Sequence, residues 1–210
     1  MARVEFFYDY SSPWTYLAFT RIEDLCRRYD AELVWRPILV GGIFNTVNPS
    51  VYEARERGVP AKMRYMAKDL HDWARFQDVA ITFPPSVFPV NSVKALRGAL
   101  MALERGCIGR YSAAVFRAYF GEDRDISQDA VLRAVVEEVG LDPVAFFTAI
   151  ATPAYKERIR SNTDECVHRG GFGSPTMFLG DDMYFGNDRL MLVEAALRQQ
   201  ANEALVGRAS

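Results

Sequence analysis

Three short stretches carry residue types that could do chemistry. In "FFYDYSSPWTYLAF", residues 6 to 19, an aromatic strand-like run passes through Ser11, Ser12 and Pro13 into a segment of helical period. Serine followed by proline is what a helix start selects, with Ser12 as N-cap and Pro13 in the first helical position. The unpaired amides of such a start, near Trp14 and Thr15, also face whatever binds there, so the Ser12 hydroxyl reads as a cap or as a catalytic donor. In "GSPT", Pro175 opens a strand, a position where proline is tolerated. Asn187 and Asp188 precede "RLMLVEAALRQQ", where asparagine is a good N-cap and an early acid complements the helix dipole. Metal chemistry finds little material: with only His71 and His168, no zinc spacing can be assembled.

The chain has 210 residues, half of them hydrophobic, enough to bury a large core in one domain or one domain with an insertion. A net charge of −2, with lysine and arginine scattered, gives no footprint for nucleic acid or an anionic membrane. No apolar run approaches the roughly 20 residues of a membrane span, and Met1 to Tyr8 lacks the pattern of a signal peptide. Cys26, Cys107 and Cys166 are sparse, widely spaced and odd in number, which suits a reducing compartment; a cytoplasmic protein is expected.

These stretches need elements to position them. Val4 to Tyr8 reads as a buried strand, and Trp14, Leu17, Ala18, Ile22, Leu25, Cys26 and Tyr29 then fall on one helical face. Leu33 to Pro37 is a second strand, so residues 3 to 37 form a right-handed, parallel β-α-β unit. From about Asn45 to Arg160 the pattern is helical, with Val93, Leu96, Leu100, Leu103 and Cys107 along one seam. Within this block Ser127 reads as an N-cap with Gly140 as the stop, Asp142-Pro143 as cap and first position, and "FPPSVFP" as a rigid connection. After Gly170 come a glycine-rich loop, Thr176 to Leu179, a Gly180-Asp181-Asp182 turn, Met183 to Phe185, and a helix with a stripe of Leu190, Val193, Leu197 and Ala201. A β-α-β start and a β-β-α end around a helical block is the order of an α/β, thioredoxin-like fold with an inserted all-helical domain. The thioredoxin-like part takes residues 1–44 and 161–210, and the insertion takes 45–160.

"YDYSSPWTYLA", "GGIFN", "FPVNSVKALR", "GSPT" and "FGNDRL", in this order, resemble the 2-hydroxychromene-2-carboxylate isomerase family and its relative the kappa-class glutathione transferases, both in the DsbA-like group. The resemblance runs from about Val4 to Arg198. It implies that the start of the first helix is the active-site loop and that Ser12 donates to the sulfur of bound glutathione, whose thiol ionises more readily beside a hydroxyl and a positive dipole end. It implies a cis Pro175 that presents the Ser174 main chain to the cysteinyl part of the ligand, a short β-augmentation. Asn187 and Asp188 fall at the γ-glutamyl end, a carboxylate for the ammonium and amides for the carboxylate. Asn48 and Lys62 are the candidates for the opposite wall and the substrate's acid group, with Asn45 the alternative to Asn48 and Arg97 a further partner for a carboxylate. Asn91 reads mainly as a loop anchor, and Trp14, Phe44, Phe83 and Phe88 as core or pocket lining.

The implied activity is a glutathione-dependent cis–trans isomerisation of 2-hydroxychromene-2-carboxylate, or a similar aromatic 2-oxo acid, by reversible thiolate addition; the resemblance also implies a homodimer. Two alternatives use the same fold: a kappa-like glutathione transferase or peroxidase, and a non-catalytic glutathione- or peptide-binding module. A disulfide oxidoreductase fits worst, because no cysteine stands at the helix start. Cys26 and Cys107 read as small buried hydrophobes, and Cys166, just before the glycine loop, is left open.

Overall fold

The computed structural model describes residues 1–209. Its sheet has four strands in the order β2-β1-β3-β4, with β1 at Arg3–Tyr8, β2 at Glu32–Pro37, β3 at Thr176–Leu179 and β4 at Asp182–Phe185. β1 and β2 are parallel, with Phe6 opposite Trp35, and the other pairs are antiparallel. Helix α1, Pro13–Arg28, makes the first crossover, as the change of period predicts.

Side chains alternate across β1, and the two faces carry different cores. Val4, Phe6 and Tyr8 join Ala18, Ile22 and Leu25 of α1 in the main core. Phe7 points the other way, to Ile38, Ile43, Cys166 and Phe178. Glu5 shares that second face, where its carboxylate accepts from Arg36 at 2.9 Å and Arg169 at 2.8 Å. Burial pushes the Glu5 carboxyl up, but the hydrogen bonds from Arg169 and Arg36 outweigh it and leave the group below its ordinary value.

Between β2 and β3 run α2 (Val40–Val47), α3 (Ser50–Glu56), α4 (Pro60–Phe76), α5 (Val93–Glu104), α6 (Ile108–Phe116), α7 (Asp129–Glu138), α8 (Pro143–Ile150) and α9 (Pro153–His168). Helix α9 continues unbroken through Arg160, and a π turn over 117–121 extends α6. Proline opens α1, α4, α8 and α9, where a missing amide costs nothing. Helix α4 runs alongside α1 in the same direction: Leu17 packs with Leu70 and Ala74, and the Thr20 hydroxyl reaches Gln77 at 3.3 Å. The first half of α4 therefore extends past the start of α1.

Local expectations fail in several places. Helix α7 starts one residue later than expected, with Gln128 in the capping position, because the Asp125 carboxylate already takes the Ser127 amide at 2.9 Å. Cys107 is buried but sits ahead of α6 rather than on the α5 seam, and Leu103 is exposed. In the hairpin, Asp182 pairs with Leu179, so the turn is Gly180-Asp181, with Gly180 at φ +62°. Helix α10, Leu190–Ala209, buries Leu190, Val193 and Leu197 but exposes Ala201.

Candidate active site

The loop from β1 into α1 is organised by a carboxylate within an aromatic run. Asp9 is fully buried and accepts from the Ser11 amide and the Val40 amide, both at 2.9 Å. The Ser92 side chain lies beside it as well and favours its charged form. Burial pushes the Asp9 carboxyl above its ordinary value, while the donors from Ser11, Ser92 and Val40 oppose that. One side chain thus ties together the ends of β1, α2 and α5.

Above it, Ser12 caps α1, with its Oγ accepting from the Thr15 amide at 3.2 Å. The same hydroxyl donates to the Ser174 carbonyl at 2.9 Å. The Ser174 hydroxyl accepts from the Asp9 amide at 2.9 Å and shares a 2.7 Å hydrogen bond with the buried Thr15 hydroxyl. The Ser174-Pro175 peptide is cis. Ser12, Ser174 and Pro175 are therefore one hydrogen-bonded unit. Among the described residues, the amides of Trp14 and Ser174 have no acceptor.

The Gly186 amide donates to the Pro175 carbonyl at 3.1 Å, which brings Asn187 and Asp188 beside this unit. Asn187 is not the cap of the last helix. Gly186, at φ +98°, turns the chain, and Asn187 opens a 3₁₀ turn, Asn187–Arg189, that leads into α10. Its side chain is buried and its Nδ2 has no partner among the described residues. Asp188 is half-exposed and paired with Arg189.

The remaining candidates divide. Asn48 ends α2 and donates from Nδ2 to the Phe172 carbonyl at 3.0 Å, two residues from Ser174, so it borders the glycine loop. Asn45 is exposed and accepts from Tyr52 at 2.8 Å. Lys62 lies exposed in the first turn of α4, with no ionic partner among the described residues. Arg97 is held elsewhere, donating to the Ile150 carbonyl at 3.1 Å and facing a cleft between α2, α5 and α9. Asn91 accepts from the Val93 amide at 3.1 Å at the start of α5. Trp14 and Phe83 pack beside Leu17 and Leu70, and the Phe83 and Phe88 rings meet edge to face. Cys166 is fully buried beneath Gly171, and burial pushes its thiol up to about 12, so it is a packing residue.

A DSBA-like thioredoxin domain model matches residues 3–198. The 2-hydroxychromene-2-carboxylate isomerase of Pseudomonas sp. (strain C18) is 32% identical over 197 residues, covering 92% of this chain and 89% of the relative. The chain belongs to the 2-hydroxychromene-2-carboxylate isomerase family of DSBA-like proteins. A solved structure of 2-hydroxychromene-2-carboxylate isomerase superposes with a TM-score of 0.83 at 30% identity, covering 97% of this chain and 98% of that one. Glutathione S-transferase kappa 1 of Homo sapiens is 27% identical over 216 residues, covering 94% of this chain and 91% of the relative.

For this isomerase-family chain, the site offers a hydroxyl donor and the open Trp14 amide at a helix start, with the open Ser174 amide beside them, a pattern that stabilises an anion supplied from outside. Sequence reasoning missed Asp9 and the Thr15 hydroxyl, and of the two amides it expected to be open, Thr15's is taken by Ser12. The available signal was an acidic residue between Tyr8 and Tyr10 at the end of an apolar strand, a place where a carboxylate must find donors.

Proposed function

We propose that the protein is a glutathione-dependent cis–trans isomerase of 2-hydroxychromene-2-carboxylate or a similar aromatic 2-oxo acid. The observation that carries this reading is the Ser12 hydroxyl at the start of α1, bonded to the carbonyl that precedes Pro175, in a member of the isomerase family with no cysteine at that helix start. When bound, glutathione supplies a thiolate that adds reversibly to the conjugated carbons of the ring-opened substrate, so that a double bond becomes a rotatable single bond and is then restored.

The residues present fit glutathione. The open Ser174 amide suits the main chain of an extended cysteinyl unit. The orphaned Asn187 Nδ2 is a buried donor in want of an acceptor, which a carboxylate supplies, and Asp188 stands next to it for an ammonium.

Ser12 has one proton to give. Here the Ser174 carbonyl takes it, and a thiolate nearby would take it instead by rotation of the hydroxyl alone. The Thr15 amide, already donating to Ser12 Oγ, polarises that hydroxyl and makes it the stronger donor. The Trp14 amide and the positive end of α1 act in the same direction.

The test is an absorbance titration of glutathione bound to the purified protein, beside Ser12→Ala. The expected result is a thiol pKa lowered by about one unit or more, roughly 1.4 kcal/mol of thiolate stabilisation, most of it lost in Ser12→Ala and kept in Ser12→Thr. Bound glutathione that titrates as it does free would sink the reading. The identity with the kappa-class transferase supports a second reading on the same thiolate, in which glutathione is consumed. Counting free thiol during turnover separates the two, since isomerisation leaves it constant.

A further inference from the structure

The cleft that holds Arg97 contains none of the residues around Ser12. Its volume is about 520 Å³, within the range of small-molecule sites. Leu39, Val93, Ile159 and Val167 give it an apolar floor, from α5, α9 and the residue that leads into α2. Its rim carries Arg97, Lys156 and Arg160, with His168, against one carboxylate, Asp164, which already stands 3.7 Å from Arg160.

Arg97 is the informative member. Other half-buried arginines in this molecule face carboxylates, as Arg36 and Arg169 face Glu5. Arg97 is half-buried too, yet among the described residues it bonds only the Ile150 carbonyl, and Lys156 has no carboxylate partner either. A guanidinium anchored on one side and open on the other presents a planar fork that matches a carboxylate. An apolar floor beneath a net positive rim selects a ligand with an apolar body and an acidic head.

We propose that the cleft between α2, α5 and α9 binds a small amphipathic carboxylate, at a site separate from Ser12. The proposal does not depend on the glutathione reading. It is tested by calorimetric titration of the full chain with phenylbutyrate and with its neutral amide, phenylbutanamide. Phenylbutyrate should bind with a dissociation constant below about 1 mM, and the amide about tenfold more weakly. Replacing the exposed rim charges together, Lys156→Gln with Arg160→Gln, should weaken phenylbutyrate about fivefold or more, with the circular dichroism spectrum unchanged. Arg97→Lys keeps the charge without the fork and should fall between. Saturating glutathione and Ser12→Ala should leave the titration as it was. Absent binding, equal affinity for the amide, indifference to the charge variants, or displacement by glutathione would each overturn the proposal.

Discussion

The start of α1 and the start of α4 are built by opposite means. Around α1, Asp9 and Thr15 are fully buried and Ser174 is 7% exposed, and their polar side chains are all hydrogen-bonded. At α4 no side chain caps the helix, Lys62 is unpaired among the described residues, and Met63, Tyr65 and Met66 are about half exposed or more. A group that must aim one proton at one atom needs neighbours that cannot move, and buried bonds supply them. The start of α4 is open and adaptable, which methionine suits. The difference predicts rigidity at the start of α1 and local opening at the start of α4.

The largest effect should come from the wired side. Asp9→Ala leaves the Ser11 and Val40 amides without their shared acceptor in a buried space. At roughly 1–3 kcal/mol for each unpaired group, a loss of about 2 kcal/mol or more is expected in urea unfolding. A loss below about 1 kcal/mol would mean the loop does not depend on this carboxylate and would erase the contrast with α4.

Glu5 tests the same side through pH. Its folded value is held below the unfolded one, near 4.3, so the stability it contributes is fully present above that pH and is lost as pH falls through the folded value. Glu5→Gln should therefore be less stable than the wild type at neutral pH by on the order of 1 kcal/mol, and the two unfolding curves should converge in acid. Parallel curves down to low pH would show that Arg36 and Arg169 gain nothing from the charge.

The sequence made legible what local chemistry decides. Ser12-Pro13 is the cap and first position of α1 because nothing nearby competes for them, and β1 shows itself through its aromatic run. Where a neighbour intervened, the reading slipped. Asp125 claims the loop donors before α7, and Gly186 inserts a turn ahead of α10 that makes Asn187 a buried side chain instead of a helix cap. Asp9 was invisible as a hub because its Val40 donor and its neighbour Ser92 come from other elements, and only the assembled fold brings them to one carboxylate. That Arg97 lines a cleft with α2 and α9, while Lys62 rides on a helix packed against α1, is likewise a tertiary fact, which spacing along the chain does not encode.

The smallest effect on stability should come from the open side. Lys62 stands eight residues before Leu70, the residue that packs against α1, so at 1.5 Å per residue it lies about 12 Å further along α4, beyond the start of α1. Exposed, and unpaired among the described residues, its charge supports nothing there, and Lys62→Gln should change unfolding by less than about 0.5 kcal/mol. If it meets the substrate's acid group, KM for the carboxylate substrate should rise about fivefold, roughly 1 kcal/mol for an exposed charge pair, while the pKa of bound glutathione stays fixed. A shift in that pKa with KM unchanged would move Lys62 to the glutathione side and show that the start of α4, open as it is, belongs to the same electrostatic unit as Ser12.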